Sequence, residues 1–180
     1  MAPLAELPPE LAAIMARAAA ELPAGLALQQ QVHVLDLAPG GEILPHVDSV
    51  KHLGEHILGV SCLSDGVMSF RPVGELQEGV SGELYPERGA PGGSELRVWL
   101  PRRSLYVMSG ACRHQWAHGV LQGAAELAVA RSPEAWAGDM AAAGAQRAES
   151  PYGQDAGPPW RITVRRGRRM SLLLRDEPPA

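Results

Sequence analysis

A histidine and an aspartate two positions apart, His46 and Asp48, are the residues whose types and spacing most directly suggest chemistry. They follow an alternating run typical of a strand, in which residues i and i+2 point to the same face. An imidazole and a carboxylate placed in this way can hold one metal ion. A second histidine from elsewhere would complete a two-histidine, one-carboxylate triad, the ligand set of non-haem Fe(II) oxygenases. By itself the pair is weak evidence, because such pairs also occur on solvated surfaces.

Two downstream histidines, His114 and His118, could supply the third ligand. In an extended segment they share a face, and in a helix their i, i+4 spacing would also let both bind one metal. The neighbouring strand-like residues Ser104–Met108 favour an extended segment. Parity does not choose between the two histidines, and a core or surface role is the ordinary expectation for His114. His52 and His56 are expected to face solvent on a loop.

Arginines late in the chain could bind an anionic co-substrate. Arg169, Ser171 and Arg175 share strand parity. An arginine fork beside a hydroxyl can bind a carboxylate. The segment from Arg161 to Arg169 is also densely basic, which ordinarily indicates a solvated face, although a contact with RNA phosphates stays open.

Short apolar segments, punctuated by Gly, Pro and Asp, predict the elements that must position these residues. The eight predicted strands are residues 31–37, 42–45, 57–63, 67–71, 96–100, 104–108, 161–164 and 170–174. One helix is predicted to begin at Pro8–Glu10 and to end before Pro23. About eight such strands suggest a mainly β fold, a double-stranded β-helix (jelly roll) with flanking α-helices.

Two segments interrupt this pattern, and we expect them to be insertions in a single domain spanning residues 1–180. Residues 73–95 are rich in Gly, Glu and Pro and are expected to form a long loop. Residues 124–159 are rich in Ala. Within them Ser132–Glu134 predicts the start of a helix, and residues 150–159 predict a linker.

The composition is typical of one globular domain with a core: 180 residues, 46% hydrophobic and 20% charged. The net charge of −4 gives no general attraction to nucleic acid or anionic membranes. No apolar run reaches the length of a membrane span. Cys62 and Cys112 are expected to be small buried residues rather than a disulfide. No signal or transit peptide is readable.

Taken together and in order, these motifs resemble the AlkB family of Fe(II)- and 2-oxoglutarate-dependent dioxygenases. That family carries an HxD pair, a distant histidine and an Arg-x5-Arg motif, which Arg169 and Arg175 match. Within it the chain most resembles the branch of the seventh AlkB homologue, a mitochondrial protein in animals. The matching blocks, about half of the chain, are residues 31–37, 45–51, 59–68, 103–107, 109–113 and 166–171.

The resemblance implies roles for the matching residues. Three would be the ligands of a catalytic iron: His46, Asp48 and His118. Four would bind 2-oxoglutarate and close the site: Tyr106, Arg169, Ser171 and Arg175. Leu35 and Leu37 stand where many AlkB enzymes have an Asn and a Tyr that contact 2-oxoglutarate. His33 has the same parity and is a candidate to replace them, although a structural role is the ordinary expectation for a strand histidine.

The resemblance also implies an activity: oxidation of a C–H bond by dioxygen, as hydroxylation or oxidative demethylation, with release of succinate and CO2. A mitochondrial location, linked to fatty-acid metabolism or necrosis, is implied in the same way. We expect a monomer.

The substrate is less constrained. Enzymes that extrude a methylated base need a recognition lid before the HxD strand, whereas a single helix and a short linker precede the first strand here. With the acidic net charge, this favours a protein or small-molecule substrate over duplex DNA. Two alternatives are kept: RNA N-demethylation of the AlkB type, and a non-catalytic metal-binding interaction module.

Overall fold

The chain is mainly β, as predicted. The computed structural model describes residues 1–73, 76–79, 84–86, 95–129, 145–147 and 160–178. In chain order the elements are β1 (Ala2–Pro3), a 3-10 turn (Leu4–Glu6), α1 (Pro9–Ala19), β2 (Gln31–Leu37), β3 (Ile43–His46), β4 (Ile57–Cys62), β5 (Gly66–Pro72), β6 (Leu76–Glu78), β7 (Leu84–Pro86), β8 (Leu96–Leu100), β9 (Leu105–Met108), α2 (Gly110–His114), β10 (Trp116–Val120), β11 (Ala124–Val129), β12 (Ala145–Arg147), β13 (Trp160–Arg165) and β14 (Arg169–Arg175).

Two antiparallel sheets carry the candidate functional residues. The five-stranded sheet has the order β1-β2-β14-β4-β9, and the four-stranded sheet has the order β3-β10-β5-β8. Buried side chains from both sheets pack into one cluster: Ile57, Met68, Phe70, Leu100, Met108 and Val120. The two sheets therefore face each other across this core.

Helix α1 covers the other face of the five-stranded sheet. Pro9 stands at its first position, where a missing N–H costs no hydrogen bond. Met15 and Ala18 are buried against Leu58, Leu172 and other outward-facing strand residues. The predicted helix is confirmed.

A smaller sheet, of order β11-β13-β12, packs on β5. Leu127, Ile162 and Val164 bury their side chains with Val67. Val67 neighbours Met68, which belongs to the core between the two larger sheets. Because successive strand residues point to opposite faces, this small sheet lies on the outer side of the four-stranded sheet.

The eight predicted strands match β2, β3, β4, β5, β8, β9, β13 and β14. β10 was predicted only in part, as an extended segment over residues 114–118. The sequence did not predict β11, nor the short β1, β6, β7 and β12. Residues 73–95 include the β6–β7 hairpin, so the expectation of a loop throughout was wrong. The helix start predicted at Ser132–Glu134 and the linker at 150–159 lie outside the described residues.

Cys62 and Cys112 are half-buried free thiols, and burial raises the pKa of both. Within the described part of the chain, we find no helix with the length and apolarity needed to cross a membrane.

Candidate metal centre and anion site

The structure brings together the three residues predicted as metal ligands. β3 ends at His46, and its pairing with β10 places His118 opposite His46. Asp48 follows β3 directly, with its Oδ1 3.8 Å from His46 Nε2 and its Oδ2 3.5 Å from His118 Nε2. One ligand atom from each residue lies within 4.8 Å of the other two. A divalent cation bound between them would meet two imidazoles and one carboxylate.

Both imidazoles are set up to offer a lone pair to a cation. His46 Nδ1 lies 2.8 Å from the Leu44 carbonyl oxygen. Because a carbonyl only accepts, Nδ1 carries the hydrogen and Nε2 presents its lone pair toward Asp48. Burial lowers the pKa of His118 to about 4. His118 is therefore neutral at neutral pH and needs no deprotonation before it binds a metal.

His114 is not part of this group. It ends helix α2, its side chain is exposed, and its Nε2 lies 2.7 Å from Glu55 Oε2. The extended segment expected over residues 114–118 begins only at Trp116. The preceding helical turn carries His114 away from the strand face that presents His118.

Arg169 lies on the opposite wall, on β14, and has no acidic partner in the part of the chain that the structure describes. It is 1% exposed, its Nη1 donates to the Ser171 hydroxyl, and its Nε and Nη2 have no hydrogen-bond partner among the described residues. A buried charge without a counter-ion is costly. Burial lowers the pKa of Arg169, while the neighbouring Tyr106 acts in the opposite direction. A carboxylate would satisfy the free guanidinium edge through paired hydrogen bonds.

Tyr106 faces the same cation from β9. Burial is the main cause that raises the pKa of its phenol, so the hydroxyl stays protonated at neutral pH and can donate. Arg169, Ser171 and Tyr106 thus form a donor set suited to a carboxylate.

Arg175 connects the anion side with the metal side. Its Nη1 donates to His33 Nδ1 at 3.1 Å, and its Nη2 lies 3.8 Å from Asp48 Oδ1. His33 is therefore in contact with a candidate site residue rather than in a purely structural position.

All seven candidate site residues line one cavity of about 470 Å³ between the two sheets. This volume suits a small-molecule site. The cavity is also lined by residues that the sequence reasoning set aside or missed: His33, Leu35, Ser49, His52, Leu53 and Met68. His52 is exposed as expected but borders the cavity. The expectation that His56 faces solvent was wrong, because His56 is half-buried and its Nδ1 lies 3.0 Å from Asp176 Oδ2.

The basic segment at residues 161–169 does not form one basic face. Arg166 is buried and donates to four carbonyl oxygens. Arg168 is paired with Asp36 at 2.6 Å, and Arg169 lies in the cavity. Arg165 is exposed. The Arg161 side chain lies outside the described part.

Comparison with known proteins agrees with the resemblance in the motifs. The chain is 40% identical over 98 residues to "Alpha-ketoglutarate-dependent dioxygenase alkB homolog 7, mitochondrial" from Bos taurus, an alignment covering 54% of this chain and 37% of that protein. The chain is related to the AlkB dioxygenases. No family model matches it.

Two further AlkB relatives are more distant. Identity is 35% over 101 residues to "Alpha-ketoglutarate-dependent dioxygenase alkB homolog 4" from Mus musculus, covering 48% of this chain and 34% of that protein. The identity is 33% over 90 residues to "tRNA (carboxymethyluridine(34)-5-O)-methyltransferase alkbh8" from Xenopus tropicalis, an alignment covering 50% of this chain and 12% of that protein. The matched part of this AlkB-related chain thus spans little more than a third of the bovine and mouse relatives' length and about an eighth of the Xenopus relative's length.

Proposed function

We propose that this chain is an Fe(II)- and 2-oxoglutarate-dependent dioxygenase that oxidises a substrate C–H bond. One observation carries the proposal: a His-Asp-His group shares one cavity with a buried arginine whose Nε and Nη2 have no partner within the described part of the chain. The first fits a divalent metal, and the second fits the carboxylate of an organic co-substrate. The AlkB relatives named as dioxygenases support the same reaction class.

The chain's own residues would bind and orient the reactants. His46, Asp48 and His118 would hold iron, leaving its remaining positions for 2-oxoglutarate and dioxygen. When bound, these groups would supply the oxidation, with succinate and CO2 as co-products. Arg169, together with Ser171 and Tyr106, would hold the distal carboxylate of 2-oxoglutarate. Arg175, beside Asp48, would close the space between the two halves of the site.

We further propose that the two larger sheets are the two layers of a double-stranded β-helix, in a single domain spanning residues 1–180. Antiparallel pairing in both sheets and the shared core between them support this architecture. Residues 73–95 and 124–159 would then be insertions. The described parts of the second insertion pack on the outer side of the four-stranded sheet, away from the cavity.

For the substrate we propose a protein or a small molecule. The net charge of −4 supports this choice over duplex DNA, because it gives no general attraction to phosphate. The described arginines of the basic segment at residues 161–169 also do not form one phosphate-binding face: Arg166 is buried on carbonyls and Arg168 pairs with Asp36. The word "mitochondrial" in the name of the bovine relative supports a mitochondrial location, and the resemblance alone links it to fatty-acid metabolism or necrosis.

Succinate release tests this function. The purified protein would be incubated with Fe(II), 2-oxoglutarate and dioxygen, with and without candidate peptides or metabolites. We expect slow succinate formation without substrate, an increase with the correct substrate, and none from Arg169→Ala. Stoichiometric iron binding without any succinate, coupled or uncoupled, would instead identify a non-catalytic metal-binding module.

A further inference from the structure

We propose that Arg113 is the positioning residue of the metal centre, holding the segment that carries Asp48 and that forms one wall of the cavity. This inference rests on the proposed function, because it assigns a residue that supports the same metal ligands. Arg113 lies on α2, five residues before His118.

The guanidinium of Arg113 binds both ends of one loop. Its Nη1 donates to the Asp48 carbonyl at 2.8 Å, its Nη2 to the Ser49 carbonyl at 3.1 Å, and its Nε to the Gly54 carbonyl at 3.3 Å. A planar fork can make these three bonds at once, whereas a lysine ammonium is a point charge without that geometry. This single side chain therefore connects the two ends of the loop.

The complete burial of Arg113 supports this positioning role. Its side chain is 0% exposed, although a charged residue is rarely fully buried. Burial lowers the pKa of its guanidinium, whereas Asp48, Glu55 and Asp176 favour the charged form. The cation is therefore retained by carbonyl oxygens and nearby carboxylates, and every N–H that reaches the loop has an acceptor.

The loop held by Arg113 contributes both a ligand and a wall. Asp48 begins it, and Ser49, His52 and Leu53 line the cavity beside the metal ligands. A shift of this loop would change the direction of the Asp48 carboxylate and the shape of the space next to it. Ligand groups must be held to a fraction of an ångström, and loss of outer-sphere support weakens metal binding.

Asp176, just after β14, fixes the far end of the same loop. The Gly54 N–H donates to the Asp176 carbonyl at 3.0 Å, and the His56 N–H donates to Asp176 Oδ1 at 2.8 Å. Arg113 thus joins the loop to the helix that leads into the His118 strand, while Asp176 joins it to the strand that bears Arg175. The loop that begins with Asp48 is thereby connected to the elements that carry His118 and Arg175.

Arg166 offers a matched control. It is also buried, and it also donates to backbone carbonyls, those of Ala38, Pro39, Gly41 and Leu121, but it contacts no candidate metal ligand. The same substitution at Arg166 therefore removes a similar set of structural bonds without touching Asp48.

The test is the affinity for cobalt(II), a redox-stable substitute for Fe(II), measured by titration together with the urea midpoint of the metal-free protein. We expect Arg113→Lys and Arg113→Met to weaken cobalt binding about 10- to 100-fold and to change its visible absorption spectrum. Arg166→Lys should lower the urea midpoint while leaving the cobalt affinity within about twofold of wild type.

Either of two results would overturn the inference: a cobalt affinity of Arg113→Lys equal to that of wild type, or an equal loss of affinity in Arg166→Lys. If Arg113→Met does not fold, Arg113→Lys decides alone, since it keeps the charge. Failure of the wild-type protein to bind cobalt would instead reject the proposed metal site itself, and the positioning role with it.

Discussion

At the scale of single residues, Asp48 is the site residue that is surrounded by ionisable side chains. Its carboxylate lies near both histidines and Arg175, and its carbonyl accepts from Arg113. Each of these contacts restricts the orientation of Asp48. No residue spacing could have shown this, because the arginines lie far along the chain and reach Asp48 only in the folded state.

Removing a proposed ligand should abolish metal binding without unfolding the domain. We expect Asp48→Ala and His118→Ala to weaken binding of Fe(II) or cobalt(II) by more than about 100-fold, beyond the loss typical of an outer-sphere partner. His114→Ala should bind like wild type, because His114 is exposed and paired with Glu55. Titration with circular dichroism as the folding control distinguishes these variants. Full metal binding by Asp48→Ala, or its loss in His114→Ala, would show that the ligands are assigned wrongly.

A second residue-scale prediction concerns the co-substrate. Truncating a buried, hydrogen-bonded charge partner costs at least about 2 kcal/mol, or roughly 30-fold in affinity. Arg169→Ala should therefore weaken 2-oxoglutarate binding by this factor or more in calorimetry with a redox-inert metal. Arg168→Ala removes the adjacent but exposed arginine, which pairs with Asp36, and should bind normally. Similar affinities for the two variants would place the carboxylate elsewhere.

At the scale of elements, the contact between β4 and β9 fixes the phenol of Tyr106. Gly59 pairs with Tyr106 in the sheet, and a Cβ at residue 59 would overlap the tyrosine ring. Gly59→Ala should force the ring to move, with a loss of about 1–3 kcal/mol in unfolding free energy and weaker 2-oxoglutarate binding. Gly40→Ala, where nothing lies within 4 Å of the added carbon, is the control. Unchanged binding in Gly59→Ala would mean that the phenol does not contact the co-substrate.

The sequence predicted elements wherever the local pattern was strong. β2 alternates in burial and contains Val and Leu, and β14 contains the continuous apolar run Leu172–Leu174, so both were readable as strands. β10 was predicted only as an extended segment over residues 114–118, with the wrong bounds, because Trp116–Val120 contains Ala, His and Gly and lacks that pattern. It becomes a strand through pairing on both sides, with β3 and with β5. Tertiary pairing of this kind overrides weak local preference.

Functional residues, like strands, were predicted only where the pattern was local in the sequence. HxD and the Arg-x5-Arg motif were visible because their spacing is local, and His118 was preferred over His114 only through the family resemblance. Arg113, Ser49 and the cavity-side position of His52 were not visible. Burial of a charged residue depends on carbonyls and carboxylates from other parts of the chain, which the order of residues does not reveal.

At the scale of the whole molecule, the charge distribution bears on the choice of substrate. The net charge is −4. In the basic segment at residues 161–169, Arg166 is buried on backbone carbonyls, Arg168 pairs with Asp36 and Arg169 lines the cavity. Arg166 is therefore a poor choice for testing phosphate contacts, because its removal would disturb the fold. Arg165, which is exposed, is the informative position.

We expect weak binding to single-stranded RNA, with a shallow dependence on salt. Each phosphate contact adds about 0.7 to the slope of log K against log salt for a single strand. Fluorescence anisotropy with a labelled oligonucleotide at several salt concentrations measures this slope. Arg165→Ala should change it by no more than one contact. A steep slope that Arg165→Ala clearly reduces would favour the RNA N-demethylase alternative.

The backbone bridge between Val47 and Leu84 has a consequence for how such a chain could diversify. Val47 stands between His46 and Asp48, and its N–H and carbonyl are both paired with Leu84 of the β6–β7 hairpin. Its own side chain is buried. Among the described residues, the hydrogen bonds that attach the hairpin beside the metal ligands join main-chain atoms, which any residue except proline provides. A substitution of the Leu84 side chain would therefore keep this attachment, so the surface next to the metal ligands can change in sequence while the ligands stay unchanged.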